Sequence, residues 1–213
     1  MNTIQKHILS IGLMLAVFAI GSTSLVVITE NATRDKIADN ERQTLLNAIN
    51  ILVPAVNYNN DILSDTLEIV PTKALSTTTA TTVYRARQNE HAIAAIFTSI
   101  APNGYNGKIT LLIGIYQTGE LAGVRVITHK ETPGLGDKID ERKSNWITQF
   151  SGLSLSNPKS SQWAVKKDGG QFDQFTGATI TPRAVIQAIK NALHYFEQHQ
   201  NTLFEQRTEK HYD

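Results

Sequence analysis

Apolar positions along the chain change their spacing several times, and each change marks a different element. Residues 8–28 (ILSIGLMLAVFAIGSTSLVVI) run 21 positions without a charge, enough for a helix to cross a bilayer, which takes about 20. A cleaved signal peptide is the rival reading, because Lys6 precedes the run and Ala19 with Gly21 form a small-x-small pair. Apolarity returns at Leu25, Val26, Val27 and Ile28 after the polar patch at 21–24, which favours an uncleaved anchor. Next, Ile37, Leu45, Leu46 and Ile49 recur roughly at helical spacing, predicting a second helix over 31–50 that stops before Pro54. Residues 62–82, ending in LSTTTATT, show no sustained period and predict irregular or partly stranded chain.

From Val83 the pattern becomes that of strands. VYRAR and AIAAIFTSI predict two strands separated by a turn at Gln88, Asn89 and Glu90, and PNGYNG predicts a tight loop after them. KITLLIGIY (108–116), the turn QTGE and LAGVRVITH (121–129) form the clearest hairpin. Pro133, Gly134 and Gly136 then force irregular backbone, and 137–150 (DKIDERKSNWITQF) reads as a helix. Residues 151–170 read as polar loop with a short strand at 163–165 (WAV). Finally Val185, Ile186, Ile189, Ala192, Leu193 and Phe196 make one apolar helical face, with Thr181 as the expected N-cap and Pro182 at the first helical position. The predicted fold class is α+β, an antiparallel sheet with flanking helices preceded by one N-terminal transmembrane helix. The expected organisation is an anchor over 1–29, a helical connector over 30–60, a folded domain over 61–205 and a polar tail over 206–213.

Composition narrows the function. Twenty basic residues face 19 acidic ones among 213, so no charge excess draws nucleic acid, and no basic stripe interleaved with aromatics is present. The absence of cysteine removes disulfides, thiolate zinc sites, cysteine-ligated clusters and thiol nucleophiles. Any redox role then requires an organic cofactor. The six histidines form no ligand array, His194 and His199 being five apart rather than four, and no metal site is expected. No G-x-S-x-G elbow occurs. Trp146 and Trp163 read as core or rim residues, with stacking on a cofactor as the alternative. With a single apolar span, the chain after residue 30 is expected on one side of a membrane. The flanking Lys6, His7, Arg34 and Lys36 leave the side undecided.

Residues 173–185 (DQFTGATITPRAV) hold the candidate chemistry. Thr176 and Thr179 lie upstream of the expected cap, on a turn that Gly177 and Ala178 keep small. A helix N-terminus presents unpaired N–H groups and the positive end of the dipole, so a phosphate is favoured just before it. A threonine there could carry that phosphate as an ester, or the whole stretch could be a capping turn. The glycine loop in ETPGLG is equally open between presenting backbone to a ligand and simply turning the chain.

DQFTGAT resembles the D-x-x-[S/T]-G-A-T signature at which a flavin transferase attaches FMN, through its phosphate, to the last threonine. ETPGLG (131–136) and GYNGKI (104–109) are similar to other stretches of the same family, in the expected order. With the single span and this length, the resemblance covers nearly the whole chain and points to the G subunit of the Rnf/Rsx ion-translocating electron transport complex. It implies a single-pass protein of the bacterial inner membrane whose soluble domain faces the periplasm. It further implies a flavin transferase for maturation and other membrane subunits as partners, within a machine coupling electron flow between ferredoxin-type donors and NAD to ion movement. In some bacteria that machine is linked to reducing a redox-sensing regulator. Carried over, Thr179 bears covalent FMN, with Asp173, Thr176, Gly177 and Ala178 completing the motif and Glu131, Thr132, Leu135 and Gly136 near the flavin. Phe175 stands where the motif usually has a small residue. Two rival readings are the C subunit of the sodium-pumping NADH:quinone oxidoreductase, which shares the signature, and an anchored binding or scaffold domain without cofactor, whose threonines merely cap the helix.

Overall fold

The computed structural model describes residues 2–205; the polar tail expected at 206–213 lies outside them. The chain divides into two compact units, Met1–Asn47 and Ala48–Asp213.

The first unit is helical. Helix α1 spans Thr3–Leu52 as one element, so the apolar run and the separately expected helix over 31–50 are continuous. The polar patch does not break it because hydroxyls bond back along the helix: Ser22 to the Phe18 carbonyl, Thr29 to Leu25 and Thr33 to Thr29, each at 2.8 Å. The helix is long and apolar enough to cross a membrane, and side chains such as Leu13, Phe18 and Leu25 are exposed along it.

The second unit is built on an antiparallel five-stranded meander, in order β1 (Thr66–Ile69), β2 (Thr81–Gln88), β3 (His91–Gly104), β4 (Gly107–Tyr116) and β5 (Leu121–Thr128). Both expected hairpins form, and the PNGYNG loop contracts to a two-residue turn at Tyr105 and Asn106 because β3 continues to Gly104. Residues 94–97 of β3 are buried on both faces. On one face Phe97 meets Tyr195 of helix α2 (Ile180–Phe204) edge to face at 6.2 Å. On the other, Gly114 and Gly123 are register partners and leave room for Leu52: a methyl on either would lie 3.3 or 3.0 Å from its side chain.

Helix α2 buries the face read from the sequence, with Val185, Ile186, Ile189, Ala192, Leu193 and Phe196 all inaccessible or nearly so. At its end, Arg85 and Arg87 donate to the carbonyls of Glu205 (2.6 Å) and Phe204 (2.9 Å), cations where the helix dipole is negative.

Two expected elements are absent. Residues 137–150 form two 3₁₀ segments, Gly136–Ile139 and Asn145–Phe150, instead of a helix. Asp140 is extended and accepts the Arg142 N–H at 2.9 Å, while Ser144 caps Trp146 at 3.2 Å. These local side-chain bonds compete with a helical ladder, yet Ile139, Trp146, Ile147 and Phe150 still reach the core. Residues 163–165 make a single bridge between Val165 and Phe172 in place of a strand. Both tryptophans are core: Trp146 packs edge-on against Phe150 and Phe175, each at 5.2 Å, and Trp163 packs on Phe150 and Phe172.

Candidate functional site

The segment 173–179 is a turn pinned at both ends. The Ala178 N–H donates to the Phe175 carbonyl at 3.1 Å, and Gly177, third of the four turn residues, has φ +77°, the sign a type II turn requires there. Thr176 stands exposed at the corner. Upstream, Trp146 Nε1 donates to the Asp173 carbonyl at 2.8 Å and Phe175 is buried against the same indole. The large residue at position 175 therefore anchors the turn to the core. The Asp173 carboxylate is exposed and pairs with Lys166 at 2.7 Å.

The start of α2 corrects the expected cap. Thr181 is the second helical residue, not the N-cap: it is fully buried and its hydroxyl donates to Glu131 Oε2. Helical backbone already begins at Thr179, with φ −74° and ψ −27°, and the Thr179 side chain makes no capping bond. Its carbonyl accepts the Arg183 N–H at 3.4 Å. Pro182 thus falls at the third helical position, still within the first turn, where a missing N–H costs nothing.

The loop after β5 closes on this turn from the other side. Glu131 is only 4% exposed, and its Oε1 accepts the Asn106 N–H at 3.0 Å from the β3–β4 hairpin. Asn106 Nδ2 donates to Thr132 Oγ1 at 3.0 Å, and the Thr132 carbonyl accepts the N–H groups of Leu135 and Gly136 at 3.1 and 3.2 Å. Gly134 supplies a positive φ of +77°. Gly136 supplies space: a methyl there would sit 2.8 Å from both Glu131 Oε2 and Thr181 Oγ1. The glycines of ETPGLG thus both turn the chain and admit a buried carboxylate. Leu135, 43% exposed, comes within van der Waals range of Gly177, 3.6 Å from where a Cβ would stand. Glu131, Thr132, Leu135 and Gly136 are thereby gathered beside Gly177 and Thr181, while the Asp173 side chain turns to Lys166.

A cleft of about 420 Å³ borders the start of α2, lined by Trp163, Ala164 and Val165 on one side and Ile180, Arg183 and Gln187 on the other, with Asn103 and Asp168 at its polar edge. Its size falls within the usual range for small-molecule sites, about 300 to 1,000 Å³. Residues 131–136 do not line it. The Arg183 guanidinium donates twice to Asp168 at 2.6 Å and holds that carboxyl below its ordinary value. Among the described residues no group of His, Asp and Glu side chains is arranged to hold a metal ion.

Asn106, the buried role of Thr181 and the cleft residues other than Trp163 escaped the sequence reading. Paired glycine motifs can signal close backbone approach, but no spacing tells which side chain fills the space.

Known families match most of the chain. The FMN-binding domain family matches residues 104–194, from the hairpin tip through most of α2, and the RnfG N-terminal region family matches residues 1–52. The chain is 46% identical over 193 residues to the G subunit of the ion-translocating oxidoreductase complex of Shewanella baltica, covering 91% of each chain. The corresponding G subunit of Vibrio cholerae is 46% identical over 195 residues, covering 92% of this chain and 93% of its own. That of Shewanella piezotolerans is 44% identical over 199 residues, 93% and 94% of the two chains. With such identity over nine-tenths of each sequence, the chain belongs to the family of ion-translocating oxidoreductase complex G subunits.

Proposed function

We propose that this protein is the membrane-anchored flavoprotein subunit of an Rnf/Rsx-type ion-translocating complex, carrying electrons on FMN joined to Thr179 through a phosphoester. The division of hydroxyls at the start of α2 carries the reading. Thr181 is buried and committed to Glu131, whereas the Thr179 hydroxyl is not used as a cap and stands where N–H groups of the first turn lack helical acceptors. The rival of a cofactor-free scaffold assigns these threonines to capping, and neither caps. Thr179 supplies the ester oxygen. Its O–P bond forms as its proton leaves, and the FMN donor is a phosphoanhydride whose other phosphate departs with the broken P–O bond, under a flavin transferase.

Phosphate at Thr179 is favoured by the α2 dipole. Gly177 and Ala178 keep the turn small, and Thr176 and Asp173 shape its outer side. Leu135, Thr132 and Gly136 form the wall nearest the turn, with Leu135 offering exposed apolar surface for the flavin ring. The cleft beside Ile180 is a second seat, favoured by its volume. FMN supplies one- and two-electron chemistry; the protein supplies position and tuning of potential. The protein acts with its membrane partners and has no complete activity alone. Residues 1–29 anchor it in the inner membrane, 30–60 lead to the domain, and 61–205 form a periplasmic FMN-binding domain. The C subunit of the sodium-pumping quinone reductase belongs to the rival machine, and the likeness to G subunits over nine-tenths of the chain favours Rnf.

Co-expression with the transferase tests attachment. Flavin fluorescence should stay with the wild-type band on a denaturing gel, and intact mass should show one FMN-sized increment that Thr179→Ala removes. A colourless wild-type band sinks the reading. Digestion of spheroplasts with an external protease tests the placement: the domain should be cut while the membrane stays sealed.

A further inference from the structure

We propose that Glu131 is a positioning residue, whose buried carboxylate locks the first turn of α2 to the β3–β4 hairpin and so holds Thr179 ready for attachment before any flavin arrives. The proposal rests on the reading that Thr179 is the attachment point.

Three chain segments distant in sequence meet at this one side chain. Its Oε2 accepts the Thr181 hydroxyl and its Oε1 accepts the Asn106 N–H, so both oxygens are occupied by protein donors. Its own N–H donates to His129 Nδ1 at 3.1 Å, fixing the loop's first residue as well. The side chain is 4% exposed and Thr181 is 0% exposed. Two glycines are shaped around it: a methyl on Gly136 would collide with the Glu131–Thr181 pair, and one on Gly104 would lie 3.0 Å from Oε1 and closer still to the Gly107 carbonyl. A carboxylate so enclosed is spent on the protein, and its effect on Thr179 passes through the helix. Thr181 is two residues beyond Thr179 in the same first turn. Fixing its hydroxyl therefore fixes the height and rotation of the turn carrying Thr179, an end that has no side-chain cap of its own. Group transfer is sensitive to such placement, since about 1 Å of displacement can cost two orders of magnitude in rate.

The test is the rate of FMN attachment to full-length, flavin-free protein in detergent, with purified transferase and varied flavin donor. Thr181→Val removes one of the two bonds while keeping the shape. It should lower the limiting attachment rate roughly tenfold with little change in the apparent KM for the donor. Glu131→Ala, which removes both bonds, should slow attachment at least as much, and an unslowed Glu131→Ala overturns the positioning role. Glu131→Gln should rescue the rate to within about twofold of wild type, because its amide can donate to the Thr181 hydroxyl while its oxygen keeps the Asn106 bond. Asp65→Ala is the control for stability alone: it weakens the fold at the opposite end of α2, where Asp65 pairs with Arg85 and Arg87, and should attach flavin at the wild-type rate. Wild-type rates in Thr181→Val overturn the positioning role, and so does equal slowing in Asp65→Ala. A Thr179→Ala variant that still gains covalent flavin overturns instead the attachment reading beneath it, and the positioning role with it.

Discussion

Gly136→Ala isolates the packing around the buried carboxylate. The residue lies outside the positive-φ set, so alanine is compatible with its backbone, and removing a glycine from the unfolded chain would by itself stabilise the protein by about 0.4–1 kcal/mol. Space reverses the sign. The new methyl would lie 2.8 Å from Glu131 Oε2, 2.8 Å from Thr181 Oγ1 and 3.1 Å from Glu131 Cβ. Neither oxygen belongs to a free side chain, since each holds the other and both residues are buried. An extra methyl forced into a full site costs about 1–3 kcal/mol, and separating the pair leaves a buried acceptor short of a donor for roughly another 1–3 kcal/mol. A net loss of about 2–4 kcal/mol is expected, or roughly 5–15 °C in Tm for a chain of this size. Urea unfolding of the detergent-solubilised full chain, followed by the fluorescence of the buried Trp146 and Trp163, measures it. Gly134→Ala is the companion: its φ is +77° with nothing within 4 Å of the added methyl, so it should lose only the left-handed penalty of about 1–2 kcal/mol. A Gly136→Ala protein as stable as wild type, or more stable, would refute the close approach of the carboxylate.

Asp65→Ala leaves Arg85 and Arg87, 4% and 6% exposed, without the carboxylate that both contact. A loss of about 3 kcal/mol is expected in the same urea titration, and a loss below about 1 kcal/mol would show that water already serves the cluster. Asp140 gives a pH test. Hydrogen bonds from the Arg142 side chain hold its carboxyl below the ordinary value, so its contribution is fully present above about pH 4 and fades as pH falls through the lower folded value. Because Arg142 is 86% exposed, Asp140→Asn should cost under about 1 kcal/mol at neutral pH. The gap between the two urea midpoints should close in acid, and one that widens there would contradict the assignment. Ile189→Ala, in the fully buried face of α2, should cost about 2–5 kcal/mol, with circular dichroism melting as the measure.

Legibility in the sequence followed the range of the forces involved. The hairpins around 83–129 were readable because runs of β-branched and apolar residues alternate with turn residues, and the apolar face of α2 because period-3.6 burial repeats over many residues. The segment 137–150 misled because its apolar spacing fits a helix while Asp140 and Ser144 bond locally and divide it. Local polar competition leaves the hydrophobic period intact, so the period cannot report it. The turn at 173–179 was legible through Gly177. The role of Thr181 was not, because its partner is 50 residues away and Thr-Pro is an equally good capping signal.

That misassignment bears on how one threonine is distinguished from its neighbours. Three threonines occur within six residues, 176, 179 and 181, and hydroxyl chemistry alone does not tell them apart. Their surroundings do. Thr176 is exposed at the corner of a turn, before the residue at positive φ and three residues from the Thr179 position, where the dipole field, which falls off within about one turn, is weaker. Thr181 is inaccessible and its hydroxyl is committed. Thr179 alone combines partial exposure, helical backbone at the start of α2 and a side chain that serves no cap. Moving the helix start by two residues, as the Thr-Pro reading would have it, would put Thr181 at the dipole's positive end and free it from Glu131, and the discrimination between the two would vanish. On the proposed attachment at Thr179, the bond that commits Thr181 to the buried Glu131 carboxylate is also what sets one hydroxyl of the three apart.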